Sequence, residues 1–362
     1  AVGDLAAIPL STEGIVTLGD AVLDAYVAGA VAMVPAGARA IRSVYTAMHG
    51  VGAETLRLAF AAAGFPAPLE VTQQVEPDPD FPTVAFPNPE EPGALDLSLA
   101  LAREAGADLV IANDPDADRL AVAVPDPSAE GGWRALTGDE LGSLLADHLL
   151  RQGDLTADDV LATTVVSSRL LSKLAAAGGV AYGEALTGFK WVVRTPAEGQ
   201  RFAFGYEEAL GYCIGRLVRD KDGVSAAMVA SELAAELKAS GSSMVERLHE
   251  IFRTHGAHVT RQRSIRVTGS DWLARVTAAM AAVRATPPTE LAGRAVLGVE
   301  DLTVIPSRFP VPSDVLVWTL DGARAVVRPS GTEPKLKAYA EAVEPVGVGG
   351  DVEAARGRAS AV

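Results

Sequence analysis

The sequence predicts two mixed parallel-sheet α/β domains followed by a smaller α+β C-terminal domain. Three observations carry this. Apolar strand-like runs alternate with helical runs from residue 41 to 112. The alternation restarts at 160, and after about 261 it gives way to short strand candidates around a single clear helix. Alternation is the mark of a mostly parallel sheet covered by helices, and clustered strands mark α+β packing. The 362 residues, 49% of them hydrophobic, can bury two or three cores at roughly 100–200 residues per domain.

In order, 41–48 reads as a strand, 53–63 as a helix stopped by Gly64, and 69–75 as a strand. Residues 76–92 carry six prolines, which exclude helix and inner strand. A helix over 93–105, a strand over 108–112 and a closing helix over 138–150 complete the first unit. In the second, 160–166 and 202–205 are strands, and 168–177, 225–237 and 244–252 are helices. The third has strands at 265–267, 296–299, 315–320, 324–327 and 336–342, a helix at 272–284 and a terminal helix after 349. The expected divisions are a linker over 1–36 and domains over 37–152, 153–262 and 263–362.

The formal net charge of −15 argues against nucleic acid or an anionic membrane as partner, but not against a small phosphorylated ligand, which responds to local charge. No run of ~18 apolar residues predicts a transmembrane helix, and the N-terminus lacks a secretion signal. The lone cysteine, Cys213, reads as a small buried apolar side chain in a reducing compartment, so a cytoplasmic location is expected. The first residue is Ala1, not Met, which fits a chain that begins inside a longer protein.

The sharpest local signal is Asn113-Asp114-Pro115-Asp116-Ala117-Asp118-Arg119, directly after an apolar strand. Three carboxylates at alternate positions repel one another, and a divalent cation replaces that repulsion with coordination. Hard oxygen ligands suit Mg²⁺ rather than Zn²⁺. A solvated acidic turn is the plain alternative. An EF-hand is excluded, because its sixth position would be Arg119 and its twelfth Pro125. Ligands of open α/β sheets sit beyond the C-terminal ends of strands, where this loop lies, and Arg119 offers planar donors to a phosphoryl group.

Residues 328–335, Arg-Pro-Ser-Gly-Thr-Glu-Pro-Lys, gather a guanidinium, two hydroxyls, a glycine and a lysine between two strands. Arg328, Ser330 and Thr332 supply donors for phosphate oxygens, Gly331 lets amides converge, and Lys335 adds charge; an ordinary polar hairpin is the alternative. Residues 205–211 place Glu207 and Glu208 after an apolar strand, where carboxylates can accept sugar hydroxyls. Residues 219–223 follow, with Asp222 as a helix cap. Residues 186–191, with Thr187, Gly188, Phe189 and Lys190, read equally well as a helix start with buried aromatics. His49, between strand and helix, is a ligand, a proton carrier or a structural residue.

These loops, in this order over about 41–344, resemble those of the α-D-phosphohexomutases, which include phosphoglucomutase and phosphomannomutase. The resemblance implies Mg²⁺ on Asp114, Asp116 and Asp118, sugar contacts from Thr187, Gly188, Phe189, Lys190, Glu207 and the position of Ala209, and a distal phosphate held by Arg328, Ser330, Gly331, Thr332 and Lys335. It implies catalytic roles for Arg119 and Lys221, the latter as general acid/base or charge stabiliser. The implied reaction interconverts hexose 1- and 6-phosphates of glucose or mannose through a phosphoserine and a 1,6-bisphosphate. No serine here is followed by His-Asn-Pro, so the chain looks like the second, third and fourth of the family's four domains, and is expected to be inactive without the first. Ala209 stands where many hexomutases have Ser, which resembles the phosphopentomutase-like branch. A sugar-phosphate-binding fragment without catalysis is one alternative. A metal-dependent phosphatase is another, disfavoured because its phosphate loop would lie two domains from the acidic loop.

Overall fold

The computed structural model describes residues 7–34, 37–305, 307–331 and 333–361. Helix α1 (Ala21–Val31) lies inside the segment expected as a linker and packs on the first unit's helix α2 (Gly52–Ala63). Around α2 run β1 (Ser43–Thr46), β2 (Leu69–Glu70), α3 (Asp96–Ala105), β3 (Leu109–Ala112), β4 (Ala121–Pro125) and β5 (Trp133–Ala135). The sheet order is β2-β1-β3-β4-β5, with β1 parallel to β2 and β3 and the remaining pairs antiparallel. Every residue of β1 and β3 is buried, as inner parallel strands require. The expected strand over 69–75 shortens to β2: after Val71 bonds Tyr45, Gln74 N–H bonds back to the Val71 carbonyl and turns the chain away. As expected, 76–92 forms neither helix nor strand.

The second unit holds α4 (Gly138–Gln152), β6 (Asp159–Thr164), α5 (Leu170–Gly178), β7 (Ala181–Ala185), α6 (Phe189–Val192), β8 (Arg201–Glu207), β9 (Gly211–Ile214), α7 (Gly223–Ala239) and α8 (Met244–His255). Its sheet runs β7-β6-β8-β9, parallel except at β9. Helix α4, expected to close the first unit, has its main neighbours here, in β8, α5, α7 and α8. Its start is a capping box in which Thr137 and Glu140 bond each other's backbone N–H. Helix α7 is buried on nearly all sides and touches α2 and β3 as well as β9. One apolar core therefore runs from Tyr45 and Ile111 through Leu144 and Met228 to Phe204.

The third unit is a six-stranded antiparallel sheet. Its strands are β10 (Ala257–Arg266), β11 (Glu290–Leu291), β12 (Arg294–Asp301), β13 (Leu316–Leu320), β14 (Ala323–Pro329) and β15 (Lys335–Glu344), ordered β10-β15-β14-β13-β12-β11. Helices α9 (Trp272–Ala285) and α10 (Val352–Ser360) complete it. Glu341 of β15, 3% exposed, ties this sheet to the second unit. It accepts from Ser168 Oγ (2.8 Å), Arg169 N (2.8 Å), Arg169 Nε (2.6 Å) and His258 Nδ1 (2.9 Å). No helix of the described residues is long and apolar enough to cross a membrane.

Candidate active site

The acidic loop leaves the end of β3 and is gripped on two sides. Val51 N–H bonds the Pro115 carbonyl (2.9 Å), and Gly223 N–H bonds the Ala117 carbonyl (3.1 Å). Glycine is required at both grips. A Cβ on Gly50 would strike the Pro115 backbone, and one on Gly223 would lie 2.5 Å from Asn113 Nδ2 and 2.7 Å from the Ala117 oxygen. Ala117 takes φ 58°, and Leu210, in the loop that meets this one, takes φ 64°. Positive φ costs a side-chain residue energy, so the surrounding structure must hold both turns in place.

Thus confined, Asp114, Asp116 and Asp118 each present a carboxylate oxygen within 4.8 Å of the others. Burial pushes Asp114 up to about 6 against the opposing Arg119 amide bond, and Asp118 and Asp116 add repulsion. Two cations answer the cluster. Arg119 Nε lies 3.5 Å from Asp114 Oδ2 and 3.8 Å from Asp118, and Lys221 Nζ bonds Asp118 Oδ2 at 2.6 Å. Burial opposes the Lys221 charge but Asp118 outweighs it, so its pKa is raised. Three hard oxygen donors around one point, with an ammonium already seated on one of them, make a donor set that fits Mg²⁺.

Beside this loop opens a cleft of about 1010 Å³ between the three units. Arg119 enters it from the first unit, with Asn88, Glu90 and Glu91 of the Pro-rich loop. Thr187, Gly188, Glu207, Glu208 and Ala209 line it from the second, and Arg328, Ser330, Gly331, Lys335 and Lys337 from the third. Glu207 accepts from Gly188 N–H (2.6 Å), which joins the two expected sugar loops. Burial raises its pKa, while that amide, Lys221 and Arg328 pull the other way. Burial, then the Glu207 and Asp139 charges, push Glu208 up to about 7. In the 328–335 loop Ser330 N–H bonds the Lys335 carbonyl (2.8 Å), Lys335 Nζ pairs with Glu333 (2.7 Å) and Arg328 Nη1 reaches Tyr339 Oη (3.4 Å).

The cleft does not gather every expected residue. Phe189 is buried in one apolar cluster with Val160, Ala162 and Val192, and Lys190 is exposed with its ammonium 5.6 Å from the Trp191 ring centroid. Lys221 and the three aspartates do not line the cleft; Arg119, which pairs with Asp114 and Asp118, does. Thr332 lies outside the described residues. His49 is buried, with Nε2 2.8 Å from Thr83 Oγ1 in the middle of the Pro-rich loop, and its carbonyl accepts from Asp78 N–H (3.1 Å) near the loop's start. Sequence reasoning missed Lys337 and the 88–91 segment. Lys337 sits opposite Arg328 in the β14–β15 register, a pairing visible only once the hairpin is aligned.

The fold and cleft define a multidomain α/β protein built around an acidic metal-type loop and a hairpin that brings Arg328, Lys335 and Lys337 to one cleft. Profiles of the phosphoglucomutase/phosphomannomutase family match in chain order: alpha/beta/alpha domain II over residues 23–130, alpha/beta/alpha domain III over 137–253 and the C-terminal domain over 267–350. The chain belongs to this family. It is 44% identical over 344 residues to "Probable phosphomannomutase" of Haemophilus influenzae, a match covering 94% of this chain and 68% of that protein. It is 36% identical over 334 residues to human phosphopentomutase, covering 85% of this chain and 54% of that one, so it spans only about half that relative's length. A phosphoglucomutase/phosphomannomutase family protein of Burkholderia thailandensis shares the fold, with a TM-score of 0.66 at 19% identity over 94% of this chain and 64% of that one.

Proposed function

We propose that these residues carry the metal, sugar and distal-phosphate sites of a magnesium-dependent mutase that interconverts hexose 1- and 6-phosphates of glucose or mannose. The observation that supports this most is the cleft itself, where Arg119, Glu207 and Arg328 face one space from three different units. Asp114, Asp116 and Asp118 would hold Mg²⁺, which neutralises charge on a phosphoryl group in transfer. Arg119 adds planar donors to that group, and Lys221, released from Asp118, supplies a mobile positive charge or proton beside it. Arg328, Ser330, Lys335 and Lys337 hold the phosphate that is not reacting. Glu207, fixed by Gly188, accepts sugar hydroxyls. Anchoring the remote phosphate restricts the sugar and orients the hydroxyl to be phosphorylated.

In this reading the sugar monophosphate accepts a phosphoryl group from a phosphoserine, passes through a 1,6-bisphosphate, turns over and returns the other phosphate. No serine among the 362 residues precedes His-Asn-Pro, so the carrier is supplied by a segment outside them. A second reading, pentose phosphates as substrates, is favoured by Ala209, a residue without a hydroxyl at the cleft wall beside Glu207 and Glu208. The test is a coupled assay with glucose 1-phosphate, Mg²⁺ and catalytic glucose 1,6-bisphosphate. This chain alone should form no glucose 6-phosphate while still binding the bisphosphate. Product formation lost in Asp116→Asn would place the carrier within these residues and overturn that part of the proposal. Failure to bind bisphosphate would overturn the whole.

A further inference from the structure

On the second unit, away from the cleft, the turn after α6, the start of β8 and the end of β9 enclose a pocket of about 320 Å³. Four arginines line it, Arg194, Arg201, Arg216 and Arg219, and no carboxylate does. Arg201 is neutralised by a two-pronged pair with Asp159, at 3.1 and 2.9 Å. Arg194, Arg216 and Arg219 have no hydrogen bond or ion pair from their side chains among the described residues. The chain has 46 acidic and only 31 basic residues, so three exposed arginines without a side-chain partner on the wall of one concavity cannot be put down to general positive charge. Like charges so grouped repel, and a bound anion reverses the sign of that interaction.

The pocket is also built to hold its shape. Its floor includes Phe202 and the buried thiol of Cys213, which bonds the Val218 carbonyl (3.2 Å) and so fixes the loop bearing Arg216 and Arg219. That loop runs directly into Lys221, seated on Asp118 of the acidic loop, and Asp222, which caps α7 and accepts from Tyr26 Oη at 2.8 Å.

We propose that this pocket is a second anion site, separate from the cleft, for a compact polyanion of the phosphate type, and that its occupancy is felt at Lys221. Planar guanidiniums match phosphate oxygens in pairs, and three of them suit a group carrying two or more charges. Because the same short loop carries Arg219 and Lys221, an anion here shifts the position of the ammonium that competes with metal for Asp118. The coupling is reciprocal, so Mg²⁺ would alter anion affinity by the same factor.

The test uses the 362-residue chain and pyrophosphate as probe, titrated by calorimetry without metal. Two binding events are expected. Arg328→Ala should weaken the cleft event and leave the other, whereas combined Arg194→Gln, Arg216→Gln and Arg219→Gln should weaken the other about tenfold or more and leave the cleft. Inorganic phosphate and glucose 1-phosphate, titrated into Arg328→Ala, distinguish free from sugar-linked phosphate as the ligand. Independently of any variant, pyrophosphate should protect Arg216 and Arg219 of the parent protein from phenylglyoxal, read by mass spectrometry. Parent-like binding by the triple variant, or unchanged labelling, would overturn the site. Anion binding that leaves Mg²⁺ affinity unmoved would overturn its link to Lys221.

Discussion

Replacing Glu341 by Gln tests whether one buried carboxylate holds the C-terminal sheet against the second unit. Its oxygens accept from a hydroxyl, an amide, a guanidinium and an imidazole, and Arg324 Nη2 lies 3.6 Å away. Glutamine keeps the shape, but turns an NH₂ group toward donors, leaves Arg169 without its counter-charge and leaves Arg324 with only Glu184, 3.4 Å away. Removing one partner of such a buried pair costs about 3–5 kcal/mol. Burial pushes the Glu341 pKa up, yet the His258 bond and the Arg324 and Arg169 charges outweigh it and hold the group well below the usual carboxylate range. A depressed folded pKa gives stability that is fully present above the unfolded value of about 4.3 and lost as pH falls through the folded one. The gap in melting temperature between parent and Glu341→Gln should therefore be wide at pH 7 and narrow toward pH 3. Hydrogen exchange at β10 and β15 should rise in the variant, and glucose 1,6-bisphosphate should bind more weakly. Equal melting temperatures at pH 7, or a gap that does not change with pH, would refute the reasoning.

Asp139 should behave in the opposite sense. Burial pushes it up to about 6, so the parent loses about 2 kcal/mol as pH rises from 4 to 6, a loss that Asp139→Asn should remove in urea midpoints across that range. Asp116→Asn should weaken Mg²⁺ binding about tenfold by calorimetry with little change in melting temperature, since Asp116 is exposed. Arg328→Ala should weaken glucose 1-phosphate binding by about 1.5–3 kcal/mol and leave any affinity for free glucose unchanged. Gly223→Ala should cost about 1–3 kcal/mol by overpacking and lower Mg²⁺ affinity as well.

What the sequence made legible is what short segments encode by themselves. The acidic loop, the Arg-Pro-Ser-Gly-Thr-Glu-Pro turn and helices such as α2, with its Gly64 stop, carry their signal in adjacent residues. Strand β7, Ala-Tyr-Gly-Glu-Ala, has little strand character of its own and exists because it pairs in parallel with β6. Helix α1 shows no amphipathic stripe to find, and β4 and β9 sit just past the loops that drew attention. The Glu341 cluster joins residues 83 to 173 positions apart, beyond any local pattern. The role of Phe189 was ambiguous for the same reason, since an aromatic at a helix start suits a core or a cleft equally and only the packing decides.

The two-sided grip on the acidic loop bears on how this chain can be divided. The loop belongs by sequence to the first sheet, but the glycine behind it, Gly223, opens a helix of the second unit. Its exit strand is stitched to the second unit as well, by the Arg119–Gly211 bridge and a bond from Leu120 N–H to the Leu210 carbonyl (3.0 Å). An excised first unit would keep its strands and all three aspartates but lose the mould that presses them together. Shuffling that unit between relatives would succeed only when the donor's loop and the recipient's helix start had been selected against each other.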